Sequence, residues 1–357
     1  MVISLETAVL ENNNLIFPAW DYDMIYSYNI GSHQLNRIEG YNCEGTYEGP
    51  KYGSIRKYKN KLICIPLYSD AVVVFDIDDK KSNKIKLELN NKKRDLFFES
   101  LIYNDKIYLF PGESECIVEI DLNIYKAEYY SISRSIIDKL ANTNGSLVRH
   151  GLSLRDDNVF LACLNTNKLL KFNLNSKKFD FIEINEAENL TSVCDGRNTN
   201  EIFVLTSGGA IYSVDISKNS TNIILEGTES NKALGYTEFQ YLPHSNVIVI
   251  LPFEEKNIIM FNLLTKERKT IPCDGYVFWS DQCEKNVYGY VFLEKKMIKI
   301  DTINMEIVEK FEINDNDIEF SKRENIILRH SSFNKNIYKE KEADSLRQYI
   351  DYLLSET

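Results

Sequence analysis

The chain has 357 residues, 43% of them hydrophobic, and a net charge of −11. That is ample for a packed core and argues against a phosphate-binding surface, since nucleic-acid binders carry a basic face. No apolar run reaches the roughly 18 residues of a membrane span, no basic region precedes an apolar core near Met1, and the seven Cys form no CxxC pair. The expectation is therefore a disulfide-free cytoplasmic protein with no nucleic-acid and no membrane partner.

The first recurring element is an Asn placed just before an apolar strand. It occurs at Asn13 and again at Asn60, Asn104, Asn158, Asn200, Asn246 and Asn286. Each copy then has a second apolar run ending in Asp or Asn, at Asn29, Asp76, Asp121, Asn173, Asp215, Asn262 and Asp301, spaced 39 to 52 residues apart. Pro18, Pro66, Pro111 and Pro252 all fall at the end of the same strand, where a missing N–H costs least. The third copy shows the unit: strand A over 97–103, B over 106–110, C over 116–122 and D over 127–132. The Asn and Asp positions read as turn formers, because Asx side chains bond nearby backbone and tolerate left-handed conformations.

Four short strands per 40–50-residue repeat are the signature of β-propeller blades. Seven copies predict an all-β, seven-bladed propeller over residues 1–338. Eight blades is the alternative, because Ile318, Glu319 and Phe320 and then Ile326 to Leu328 form a partial further copy. Two stretches depart from the strand pattern. Residues 134–142 have helical spacing within a D–A connection. Residues 339–357 read as a C-terminal α-helix, with Leu346, Ile350, Leu353 and Leu354 on one face. That helix either covers its own domain or docks a partner.

Over about residues 1–315 the pattern resembles bacterial β-propellers of the kelch-like and YVTN/WD-repeat-like superfamilies. The resemblance is one of architecture. Gly208-Gly209 lies in a B–C turn instead of at the kelch position, and Trp20-Asp21 likewise lies in a B–C turn instead of ending a strand C. It implies a rigid scaffold and brings no set of partners with it.

Up-and-down connectivity puts the B–C and D–A loops on one face around the channel mouth, and grafted function lives in such loops. The candidate ligand-binding residues there are Trp20 from a B–C loop and Tyr52, Glu99, Arg149, His150, Glu238 and Trp279 from the starts of the A strands. The 40–53 connection adds Tyr41, Tyr47, Glu44 and Glu48. Of four His only His150 belongs to the channel, and no HxH or HxxxH spacing exists, so no metal centre of several His ligands and no cofactor is expected. Gly-x-Ser-x-Gly, GxGxxG and Walker patterns are absent. Two functions follow. The first is a non-catalytic binding or scaffold propeller that holds a protein, peptide or glycan. The alternative is a hydrolase or lyase using His150 with Glu99 or Glu238, which requires those three side chains to share one site.

Overall fold

The computed structural model describes residues 5, 7–18, 24–40, 52–89, 96–132, 146–185, 187–228 and 232–314. They form seven four-stranded antiparallel sheets, each built from consecutive strands. We number these blades 1 to 7; they span residues 9–40, 52–86, 97–131, 153–183, 190–225, 236–272 and 277–311. The fold is a seven-bladed β-propeller. The 134–142 stretch, the partial copy over 318–328 and the C-terminal helix over 339–357 lie outside the described residues.

The sequence pattern within a blade follows from how blades pack. Strands B and C have a neighbouring blade on each face, so they read as near-continuous apolar runs. Lys61–Pro66 and Ala71–Asp76 are buried at nearly every position. Alternate residues of one strand serve the two neighbours: Leu62 and Cys64 pack toward blade 1, Ile63 and Ile65 toward blade 3. Strand D is outermost and alternates, as in Lys126–Ser131. The result is one hydrophobic cluster per interface around the whole ring. Full burial of each large apolar side chain contributes roughly 1.5–3 kcal/mol.

The ring closes between blades 7 and 1 by side-chain packing. Leu15, Phe17, Tyr26 and Tyr28 of blade 1 share a core with Tyr288, Tyr290 and Met297 of blade 7. Tyr28 stacks on Phe311 at 5.7 Å, and the Trp279 indole N–H donates to the Ala8 carbonyl at 3.0 Å.

The recurring Asp and Asn at the end of strand C do the same work in every blade. Each side-chain Oδ1 accepts backbone N–H groups from the following C–D turn, as Asp121 does from Asn123 at 2.8 Å and Ile124 at 3.2 Å. The A–B turns are less uniform. Asn13, Asn104 and Asn246 have positive φ as turn chemistry predicts, whereas Lys59, Asp156, Asp157 and Glu284 carry it in blades 2, 4 and 7. Asn60 and Asn158 instead tie the start of strand B to the end of strand C, through Asp76 at 3.1 Å and Asn173 at 3.0 Å.

A buried carboxylate also joins two blades through the core. Glu119 of blade 3 is buried and accepts from Lys106, from Tyr130 at 3.0 Å and from Lys177 of blade 4 at 2.5 Å. Burial alone would raise its carboxyl, but these donors hold it below the ordinary value.

Candidate functional site in the central channel

The site is built by a repeated irregularity of strand A, the innermost strand. In five blades the A–B pairing skips a residue near the top of the strand, between Tyr52 and Ser54, Phe97 and Glu99, Leu190 and Ser192, Tyr236 and Glu238, and Val277 and Trp279. Such bulges re-aim the next side chain. Here those side chains belong to Ser54, Glu99, Ser192, Glu238 and Trp279, each opposite the fifth residue of its strand B. Continuing the registers of blades 1 and 4 puts Thr7 and Gly151 at the same level. All seven line one cavity of about 280 Å³, together with Arg56, Phe98, His150, Gln240, Ser280 and Asp281.

Small residues at four of the seven positions leave the space open, and two carboxyls face each other across it. Glu99 and Glu238 stand three blades apart in the ring. Glu99 is an ion-paired carboxylate. One oxygen accepts from Arg56 and from the Ser100 amide at 2.9 Å, and the other accepts from the Gly151 amide at 2.9 Å. That last bond needs a glycine. Gly151 has φ +74°, and a Cβ there would fall 2.3 Å from Ser192 Oγ and 2.5 Å from Val193 O.

Glu238 has a different environment. Its Oε2 accepts from Ser280 Oγ at 2.6 Å, and Gln240 Nε2 donates to the same Ser280 hydroxyl at 3.1 Å. Its Oε1 lies 3.6 Å from His150 Nδ1, beyond hydrogen-bond length. The Glu238 and His150 side chains are only 13% and 17% exposed. Burial pushes Glu238 up to about 8, reinforced by the negative charges of Glu99 and Asp281 and opposed by the Ser280 hydrogen bond. Burial and then the Arg149 charge push His150 down to about 3. At neutral pH the pair is therefore a carboxylic acid beside an uncharged imidazole. Burial also raises Asp281, against the opposing effects of the Gln282 amide and Arg56.

The structure brings Glu99, His150, Glu238 and Trp279 to one cavity. Their convergence meets the geometric requirement of the enzymatic alternative, although His150 is too weak a base to carry it. Arg149 does something else. Its guanidinium lies 5.2 Å from the Phe98 ring of blade 3 and 4.6 Å from the ring of Phe253, which follows strand B of blade 6. Those blades are not neighbours, so this cation–π bridge crosses the channel mouth. Tyr52 is buried in the core between blades 1 and 2. Trp20 and the 41–51 part of the aromatic loop lie outside the described residues. Sequence reasoning passed over Arg56, Gln240, Ser280, Asp281 and Gly151. The recurring prolines offered a clue to the level, because Pro66, Pro111 and Pro252 pair with Tyr52, Phe97 and Tyr236, immediately before the bulges.

No protein-family model matches the chain, and no curated protein matches it. Solved structures do. Hsv2 of Kluyveromyces lactis superposes with a TM-score of 0.58 at 10% identity, over 87% of this chain and 100% of that one. A streptogramin B lyase superposes with a TM-score of 0.58 at 8% identity, over 78% of this chain and 87% of that one. The likeness is one of fold. One of these propellers is named for a lyase activity, so the scaffold hosts catalysis elsewhere, but at such identities no partner or reaction comes across with it.

Proposed function

We propose that this protein is a binding propeller whose ligand is a small, uncharged, hydroxyl-rich molecule, such as one sugar residue of a glycan, held inside the channel. The observation that supports this most directly is the cavity wall. It mixes donors and acceptors at close quarters: Arg56 and Gln240 donate, Glu99 and Asp281 accept, and Ser54, Ser192, Ser280 and the Glu238 acid do both. The Arg56 charge faces both Glu99 and Asp281, burial raises the Asp281 carboxyl, and Glu238 is uncharged at neutral pH, so the wall offers hydrogen bonds with little demand for ligand charge. At about 280 Å³ the cavity is at the small end for ligand pockets, which suits a single ring better than a peptide chain.

Calorimetric titration with methyl glycosides and neutral polyols, against sugar phosphates and citrate for comparison, tests this reading. Neutral hydroxylated compounds are expected to bind, and Gln240→Ala to weaken them about tenfold, as loss of one buried hydrogen bond does. Binding confined to the charged compounds, or unchanged in Gln240→Ala, refutes it.

A further inference from the structure

Two carboxyl groups on opposite walls of one cavity, in unlike surroundings, go beyond what holding a ligand requires. We propose that the channel hydrolyses a glycosidic C–O bond of its ligand, with the Glu238 acid as proton donor to the leaving oxygen and the Glu99 carboxylate as proton acceptor for the attacking water. This rests on the sugar reading above.

The division of roles follows from what each group touches. Glu99 is held by the Arg56 cation and two backbone amides, which favour a fixed negative charge. Those contacts use three of a carboxylate's four lone-pair directions, leaving one to accept from water. Glu238 has no cation against it among the described residues. Its contacts are the Ser280 hydroxyl and, at 3.6 Å, an uncharged imidazole. It is buried opposite the Glu99 charge, and both effects keep the proton on it. Pairs of carboxyls whose environments separate their proton affinities are how one site supplies acid and base together. Trp279, Thr7 and Ser54 complete the ring level on one side of this pair, and Gly151 and Ser192 on the other; the Trp279 indole N–H is engaged by the Ala8 carbonyl and the other four residues are small, so a sugar ring can lie between the two walls.

The step balances with water as the only co-reactant. The water oxygen bonds to the anomeric carbon while the bond from that carbon to the leaving oxygen breaks. The electron pair stays on the leaving oxygen, which takes the Glu238 proton. The water proton passes to Glu99, and exchange with solvent restores both groups. Attack from the wall facing the acid gives inversion at the anomeric carbon.

The test uses the full chain with methyl and 4-nitrophenyl glycosides of the common hexoses and N-acetylhexosamines. Turnover of at least one sugar is expected, with the inverted anomer as the first product in proton NMR. Glu238→Gln should lower turnover of the methyl glycoside by about 10²–10⁴-fold, and of the nitrophenyl glycoside much less, because nitrophenolate leaves without a proton. A merely structural role for Glu238 would slow both alike. A chain that binds methyl glycosides but cleaves no member of the panel between pH 5 and 8 overturns the cleavage and leaves the binding reading standing. Equal losses for both leaving groups also overturn it. A chain that binds no glycoside overturns both.

Discussion

Replacing Glu238 with Gln should alter how stability depends on pH, in a direction fixed by the structure. The Glu238 carboxyl is raised from 4.5 to about 8 by burial in the channel wall. Between those values the folded chain keeps a proton that the unfolded chain has released, so stability falls as pH rises through the window and levels off above about 8. Each unit of separation is worth about 1.4 kcal/mol. The whole window therefore approaches about 5 kcal/mol, of which roughly 2–3 kcal/mol is lost between pH 5 and pH 7. The side chain is only 13% exposed, so solvent screening trims this little. Gln keeps the shape and an oxygen for the Ser280 hydroxyl but cannot ionise. Urea unfolding of both proteins at pH 5, 6, 7 and 8 isolates the effect, because titrating groups that do not interact with Glu238 cancel in the difference. The variant should gain on the wild type steadily with pH. A difference that stays flat from pH 5 to 8 would refute the claim that the folded channel holds Glu238 protonated.

Four further outcomes follow from the same structure. His150 is shifted the other way, from 6.5 to about 3, so its neutral form stabilises the fold fully above its unfolded value, and that contribution is lost as pH falls. His150→Gln should remove roughly 1–2 kcal/mol of the decline between pH 6.5 and 5, measured by unfolding at both values. Gly151→Ala combines a positive φ with overlap on Ser192 and Val193 and should cost about 2–4 kcal/mol in denaturant unfolding. Glu119→Ala leaves Lys106, Lys177 and Tyr130 without their shared acceptor and should cost about 1–3 kcal/mol, since both lysines are partly exposed to water, with Glu119→Gln recovering only part. Arg149→Ala removes the bridge to Phe98 and Phe253 at a cost of about 1–2 kcal/mol, and hydrogen exchange should quicken near Phe253 although blade 6 itself is untouched.

Much of the fold was legible because its causes are local. Strands B and C are apolar throughout since each is covered on both faces, and Asp121 and its equivalents recur since a C–D turn needs an acceptor for its N–H groups. The strand limits read for the third copy fall within one residue of those observed, with B ending on Pro111 and D running Lys126–Ser131. The site was harder to see for a physical reason. Glu99 and Glu238 could be placed near the channel by strand position. Their meeting, however, depends on bulges, and a skipped residue does not alter a strand's composition. Arg56 and Asp281 lie in A strands with no recurrent neighbour to mark them. Gly151 stood out only after its φ and its approach to Ser192 were known. The use of Arg149 as a bridge between blades that are not adjacent depends on ring closure, which no stretch of sequence displays.

The bulged level of strand A also separates two tasks that most folds entangle. The hydrophobic clusters that hold the ring together draw mostly on the B and C strands, whereas one level of the channel wall is set by one residue per blade at seven stations. Thr7, Ser54, Glu99, Gly151, Ser192, Glu238 and Trp279 thus work like wards in a lock. Except at Gly151, where the backbone dictates the residue, and at Trp279, which also belongs to the core that closes the ring, they can be recut with little change to the cylinder around them. A propeller of this kind can acquire a new specificity by a few substitutions at known addresses, and a combinatorial library confined to those stations would sample ligands without sampling folds.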